Sequence, residues 1–404
     1  MEWSRNDLGR LPVLSWCATP EATALQQAAN LADHPVLFRH VALMPDCHVG
    51  YGMPIGGVIA CDNAVIPNAV GVDIGCGMGA VQTNFPAAEM TPERVKKILH
   101  GVKRGVPLGE GHAHRTRQAW NGLEARDGDR PGGVDAGGWE LAACNLGTLG
   151  GGNHFIELQA GDDGLLWLMI HSGSRNLGYR IAEYYHQLAL RLNEQERAVI
   201  PDRQLAFLPA NSAAGQAYIR DMTFALEYAR ENRRRILAVF KDEVAQVLKN
   251  VVFTREVNIH HNYAAAETHF GRTVWIHRKG ATSAQAGETG IIPGSMGTAS
   301  YIVTGRGNPD AFMSCSHGAG RVMGRMDACR RLSKDACDDA MRGIVFDGWK
   351  PARGKFGRGP AKGGALYDLE EAPQAYKNIE DVIAAEQDLV HPEVRLRPLG
   401  VIKG

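Results

Sequence analysis

The 404-residue sequence has no CxxC pair and no net charge, its 44 Lys and Arg balancing 44 Asp and Glu. It also lacks any run of about 18 consecutive apolar residues, so no membrane-spanning helix is expected. The N-terminal stretch MEWSRNDLGR has none of the charged-then-apolar pattern of a secretory leader, and a soluble, cytoplasmic protein is expected. Balanced charge supplies no whole-molecule field for a polyanion, so a nucleic-acid partner would have to be met by local patches. The cysteines at 17, 47, 61, 76, 144, 315, 329 and 337 lack the dense spacing of a disulfide scaffold and fit free thiols in a reducing compartment. Each is then either core filler or a ligand. Familiar nucleotide motifs are missing too. There is no GxxxxGK[ST], Gly75-x-Gly77-x-Gly79 has the wrong spacing for a dinucleotide fingerprint, and the Lys-x-Asp-Gly of lysine-dependent ligases does not occur.

Glycine is plentiful, 48 residues, gathered at 50–57, 71–79, 147–152, 287–307 and 354–364, where loops and tight turns are expected. Short apolar runs at 56–60, 165–170, 273–277 and 300–303 suit buried strands that hold polar residues at their ends. Helical periodicity is clear at 180–193 and 215–249; in the second, Ile219, Met222, Leu226, Ile236, Phe240, Val244 and Val247 recur three to four apart, as in one long helix or a helical hairpin. No repeat and no long polar linker appears, so a single α+β unit is expected.

VGVDIGCGMGA (70–80) strips the bulk from around Asp73 and Cys76. Glycine there would let backbone approach an ion without Cβ clashes. Histidines recur in similar company: GGNHFIE (151–157), HSGSR (171–175), EVNIHHNY (256–263) and SCSHGAGR (314–321). A lone His in a Gly-rich loop is more often a hydrogen-bonded structural residue. Several of them beside one thiol and one carboxylate suit manganese, iron, cobalt or zinc better than magnesium or calcium. That is too many ligands for one tetrahedral site, and two ions sharing the thiolate fit better, a common device for attack at phosphorus. Arg175, Arg278, Lys279, Arg321 and Arg325 lie in or beside the same loops and could grip phosphate, although Lys279 alone reads as a solvated surface charge.

PDCHVGYGMPIGGV (45–58), VGVDIGCGM (70–78), LGTLGGGNHFIE (146–157), HSGSR, HHNY (260–263), RKGA (278–281), IIPGSMG (291–297), SCSHGAGR, AYK (375–377) and the closing VIKG together resemble the RtcB-type RNA-splicing ligases. The blocks follow family order from residue 45 to the last residue. The resemblance implies one compact α+β domain over 1–404 with a central sheet-rich metal cleft and peripheral helices, including a helical insertion at roughly 180–249 and a basic Gly-rich loop at roughly 347–364. It implies joining of RNA 3′-phosphate or 2′,3′-cyclic phosphate ends to 5′-hydroxyl ends, with GTP and two Mn2+ ions. In that scheme His317 is the nucleophile that takes GMP. Asp73, Cys76, His154, His171 and His261 are the implied metal ligands, with Cys76 as the bridge. GMP contacts fall on Asn153, His154, Phe155, Ile156, Glu157, His261, Asn262, Pro293, Gly294, Ser295, Met296, Ser300, His317, Gly318, Ala319, Gly320 and Lys403, with Tyr376 placed near the base.

Asp46 is expected either to aid 3′-end chemistry or to hydrogen-bond structurally, and His260 either to shape the site or to touch RNA. Lys350, Arg353, Lys355, Arg358 and Lys362, together with HAHRTR (112–117), are candidate RNA-phosphate contacts. A monomer is expected, with RNA and GTP as partners and archease as a candidate activator. Two other classes compete: a binuclear metallophosphoesterase, which needs no histidine nucleophile or guanine pocket, and a non-catalytic RNA-binding subunit with a structural metal.

Overall fold

The structure is a computed structural model and describes residues 1–351 and 367–404. Arg353, Lys355, Arg358 and Lys362 of the expected basic loop lie outside the described residues.

Two large sheets dominate. The first orders Trp3–Arg5, Val13–Ser15, Leu37–His48, Ile55–Cys61, Arg272–Lys279 and Asn262–His269. The second orders Phe253–His260, Gly77–Pro86, Leu165–Ser172, Phe155–Gly161, Val390–Lys403, Ser300–Gly305 and Thr289–Ile292, each pair antiparallel. The expected strands at 56–60, 165–170, 273–277 and 300–303 are all present. The reading of 71–79 and 287–307 as loops is corrected: Gly77, Gly79 and Gly305 sit within strands. Gly77 is where a strand can be this close to its neighbour, since a Cβ there would lie 2.0 Å from the Ile259 carbonyl oxygen.

Helices cover the outside of the second sheet. Pro92–Gly105 starts on Thr91, whose side chain accepts from the Arg94 N–H, with Pro92 in the first turn and Lys103 and Arg104 in the last, a standard complement to helix ends. The 215–249 periodicity resolves into one helix, Ala213–Val247, capped by the Ser212 hydroxyl accepting from Gly215 N–H, and not into a hairpin. No glycine or proline breaks its interior, and its apolar stripe stays on one side. Ile236, Leu237, Phe240 and Val244 pack against Ile98 and Val102 of the shorter helix and against Ile156, Leu168 and Ile170 of the sheet. Each such buried side chain contributes roughly 1.5–3 kcal/mol. The 180–193 periodicity lies inside the helix Arg175–Gln195. Among the described residues no helix is long and apolar enough to cross a membrane.

The two sheets share a core, in which Met44, Val58 and Ile276 of the first pack with Ile292, Tyr301 and Val303 of the second, and the chain crosses between them at His261. The chain leaves the second sheet at His260, passes His261, and enters the first at Asn262. In the second sheet Gly77 pairs with both His260 and Ser172, and Phe155 pairs with His171. Cys76, His154, His171 and His261 are therefore brought to the same end of four adjacent strands, with Asp73 in the turn before Cys76.

Candidate metal and nucleotide site

These side chains converge. Cys76 Sγ lies 3.4 Å from His154 Nε2 and 3.2 Å from His171 Nε2. His154 Nε2 is 3.4 Å from Asp73 Oδ2, and His171 Nε2 is 3.3 Å from His261 Nε2. The order Asp73, His154, Cys76, His171, His261 thus runs as a chain with the thiol in the middle. His154 and His171 donate their Nδ1–H groups to the Leu149 and Asn153 carbonyls, at 2.9 and 3.1 Å. That fixes the tautomer and leaves bare Nε2 lone pairs facing one another and the sulfur, an arrangement suited to a cation between them. Burial holds His171 and His261 well below the usual imidazole range, so they are neutral donors. Burial raises the Cys76 thiol and Asp73 raises it further; a coordinated divalent ion reverses that and binds the thiolate. The donor set, one thiol, three imidazoles and a carboxylate, fits borderline divalent metal.

His317 stands beside this cage, its ring centroid 4.9 Å from that of His261. Asp46, fully buried, accepts through one oxygen from His317 Nδ1 at 2.6 Å and from the His317 backbone N–H at 3.1 Å. Burial alone would raise Asp46, but His317 holds its carboxyl below the usual range. The imidazole is thereby locked with its proton on Nδ1 and its Nε2 lone pair free. Asp46 is thus an orienting residue for His317. Gly320 permits the close seat of this loop: its φ is +72°, and a Cβ would lie 2.2 Å from the Asp46 carbonyl oxygen.

A cavity opens over His317. Its walls include Asn153, Phe155, Glu157, His171, Pro293, Gly294, Ser295, Met296, Gly318, Ala319, Gly320, Tyr376 and Lys403, all named from sequence. Glu157 lies at its inner end, where burial lifts its carboxyl to about 8 against the pull of Gln159 and Lys403. Lys403 Nζ is 3.4 Å from the Asn153 carbonyl oxygen and 3.5 Å from Glu371 Oε2. Alternation along the Phe155–Gly161 strand turns Phe155 and Glu157 toward the cavity and sends Ile156 into the core beneath it. No side-chain contact with a ligand in the cavity is open to Ile156. Asn262 is engaged elsewhere, donating to the Asp73 carbonyl at 3.1 Å and accepting from Gly280 N–H at 2.7 Å. Ser300 lies just behind the wall, where its hydroxyl accepts from Gly294 N–H at 3.2 Å. His154 and His261 belong to the cage and do not line the cavity.

Glu371, which the sequence did not single out, organises one wall. Its carboxylate takes Arg321 at 3.2 Å, Arg325 at 3.4 Å, Lys403, and the Tyr376 hydroxyl. Burial would raise it, but Lys403 and Arg321 hold it down. No residue spacing announces this cluster; its only sequence trace is EEAPQAYK (370–377), which carries both Glu371 and Tyr376. Arg321 and Arg325 line the cavity. Arg175 lies by the cage, 3.5 Å from His154 Nδ1, with a left-handed φ of +60°. His48 lines the cavity with its Nδ1 on the Asp46 carbonyl.

Two cations are corrected. Arg278 is fully buried against Glu267, Ser314 and the Phe312 carbonyl and does not line the cavity. Lys279 is not a surface charge: it is buried, donates to the Tyr51 and Asn68 carbonyls at 2.6 and 2.9 Å, and burial brings it down to about 7. His260 shapes the cage from behind, with Nδ1 3.0 Å from Arg233. In the 112–117 segment Arg117 pairs with Glu140.

Fold and site define an α+β protein built around a thiolate–imidazole metal-ligating cluster with a buried-carboxylate-oriented histidine at its edge. A family model described as tRNA-splicing ligase RtcB matches residues 27–404. Two Escherichia coli proteins, RNA-splicing ligase RtcB1 and RNA-splicing ligase RtcB, are each 37% identical over 97% of this chain and 97% of their own length. The tRNA-splicing ligase RtcB of Thermococcus kodakarensis is 33% identical over 94% of this chain and 91% of its own. The chain belongs to the RtcB family.

Proposed function

We propose that this protein is a GTP- and manganese-dependent RNA ligase that joins 3′-phosphate or 2′,3′-cyclic phosphate ends to 5′-hydroxyl ends. The observation that carries the proposal is His317, with Nδ1 tied to Asp46, Nε2 free, the cage on one side and the Glu157–Lys403 cavity on the other. Family membership supports an RNA substrate.

The guanine seats between Phe155 and Tyr376, its N–H edge donating to Glu157 while Lys403 donates to an acceptor on the ring. His317 Nε2 attacks the α-phosphorus; the bond to the bridging oxygen breaks, pyrophosphate leaves, and the Nδ1 proton stays on the Asp46 hydrogen bond. An oxygen of the RNA 3′-phosphate next attacks the guanylate phosphorus, and the electron pair of the N–P bond returns to His317. The RNA 5′-hydroxyl then attacks the activated 3′-phosphate and loses its proton as GMP departs. A cyclic end must first be opened by water to the 3′-phosphate. Paired ions on Asp73, Cys76, His154, His171 and His261 would neutralise phosphate charge and lower the cost of bringing nucleophiles to phosphorus. Arg321 and Arg325 supply further positive charge at the rim.

A metallophosphoesterase would need neither the Asp46 partner of His317 nor Glu157 and Lys403 at the end of a cavity. The test is incubation with α-labelled GTP and manganese, followed by denaturing electrophoresis. Label that survives alkali, is released by acid and is absent in His317→Ala is expected. Its absence from the wild-type protein would favour the phosphoesterase or RNA-binding alternatives. Ligation of RNA with defined termini then checks the end chemistry.

A further inference from the structure

Halfway along the helix Ala213–Val247 two polar residues, Asn232 and Arg233, are fully buried. Arg233 has no ion pair with a carboxylate among the described residues, which is costly for a buried guanidinium unless backbone and side-chain acceptors satisfy it. Its donors go to four places. Nη1 reaches the Gly75 carbonyl at 2.8 Å and the Ser172 carbonyl at 3.0 Å, Nε reaches Asn258 Oδ1 at 2.7 Å, and Nη2 reaches His260 Nδ1 at 3.0 Å. His260 Nδ1 also lies 3.1 Å from the Gly75 carbonyl oxygen, so the imidazole accepts from the guanidinium in one tautomer and donates to that carbonyl in the other.

Asn232 is as fully used. Its Oδ1 accepts from Gly147 and Thr148 N–H at 2.7 and 3.1 Å. Its Nδ2 lies within 3.2 Å of the Thr148 carbonyl, Ser172 Oγ and the Gly173 carbonyl. The partners of these two residues flank all the candidate ligands. Gly75 adjoins Cys76 and follows Asp73, Ser172 adjoins His171, and His260 adjoins His261. Thr148 lies beside Leu149, whose carbonyl fixes His154.

We propose that the Asn232–Arg233 pair is the positioning element of the metal cage: one turn of one helix sets the spacing of every chain segment that carries a ligand. The proposal rests on the metal reading of the cage. Four strand ends and loops come together there from sequence positions far apart, and no other described residue hydrogen-bonds to as many of them. The forked guanidinium suits this task, because its fixed plane ties the Gly75 and Ser172 carbonyls at a set separation, whereas a lysine ammonium fixes neither angle nor spacing. Those carbonyls are thereby directed at the helix, so that only sulfur, imidazole and carboxylate face the cage.

Two effects are separable. Arg233 places a positive charge behind the cage, which by itself repels a cation. If positioning governs, Arg233→Lys, with its charge kept and its fork lost, binds manganese about ten- to a hundredfold more weakly than wild type. It also weakens the near-ultraviolet thiolate-to-cobalt band of the cobalt-loaded protein. Arg233→Gln is expected to bind more weakly as well, despite removal of the repelling charge. Calorimetry and metal analysis on the full chain, with melting temperatures taken in chelator, provide the readout. Ile98→Ala, a core deletion on the helix Pro92–Gly105, is the control: it lowers melting temperature and leaves manganese affinity unchanged. Should Arg233→Lys not fold, Asn258→Ala, which removes the Nε acceptor and one exposed donor to the Arg230 carbonyl, carries the same comparison with a smaller loss.

Wild-type affinity in Arg233→Lys, or equal or tighter binding in Arg233→Gln, overturns the proposal. A wild-type protein that binds neither manganese nor cobalt overturns the metal reading instead.

Discussion

Replacing Asp46 by Asn keeps the volume of the residue and removes the charge that orients the nucleophile. The structure gives one carboxylate oxygen two contacts to His317, at 2.6 Å to Nδ1 and 3.1 Å to the backbone N–H, inside a fully buried site. A hydrogen bond to a buried ionised group is worth about 1.5–3 kcal/mol. At about 1.4 kcal/mol per decade, that is roughly ten- to a hundredfold in the population of the reactive tautomer. In the serine-protease triad the same exchange behind a histidine costs about 10⁴ in rate, because the wrong tautomer is held. Asp46→Asn should therefore slow protein guanylylation by about 10² to 10⁴, between those two figures. Quenched-flow labelling with α-labelled GTP measures it directly, and manganese content should stay at the wild-type level because Asp46 touches no cage residue. A labelling rate within about threefold of wild type, in a folded and fully loaded protein, would refute the orienting role, since it would place the effect below the weakest such hydrogen bond.

Cys76→Ser should lower bound manganese from two ions to one or none by metal analysis, since the sulfur is the atom common to both halves of the cage; retention of both ions would exclude a shared thiolate. In the ligand-free protein Glu157 holds its proton up to about 8 against an ordinary value of 4.5. The folded state then binds more protons than the unfolded one between those values, and stability falls as pH rises through that window. Glu157→Gln should accordingly melt higher than wild type near pH 8.5 and much closer to it near pH 4, as read by calorimetry without nucleotide, while losing GTP labelling. Arg278→Met should cost about 1.5–3 kcal/mol in denaturant unfolding by removing the guanidinium from half-buried Glu267, which keeps His269 as its partner, with manganese affinity unchanged in the folded protein.

Local chemistry explains which parts were legible. Asp73 and Cys76 lie three residues apart in one turn, and the apolar runs before His171 and after Ser300 are strands whose ends present polar groups, so neither needed the tertiary structure to be noticed. The block order from residue 45 onward made the family visible, and with it the cage and cavity residues. Ile156 shows what alternation does to a continuous block: Phe155 and Glu157 turn their side chains to the cavity and Ile156 turns its own into the core.

By itself the sequence determined candidate ligand types, strand cores and the long apolar helix stripe, because each is written within one turn, one strand or one helix period, while the nucleophile candidate came only through the family resemblance. Tertiary structure alone decided the rest. RENRRR (230–235) looks like one solvated face, yet Arg234 and Arg235 reach outward to Glu231 while Arg233 is buried against three other chain segments, at Gly75, Ser172 and Asn258–His260. Arg278 and Lys279 look like adjacent free cations and are both buried on opposite sides of one strand. Which charge meets water and which meets a carbonyl is set by sheet register and helix docking, and those follow from how the two sheets cross at His261.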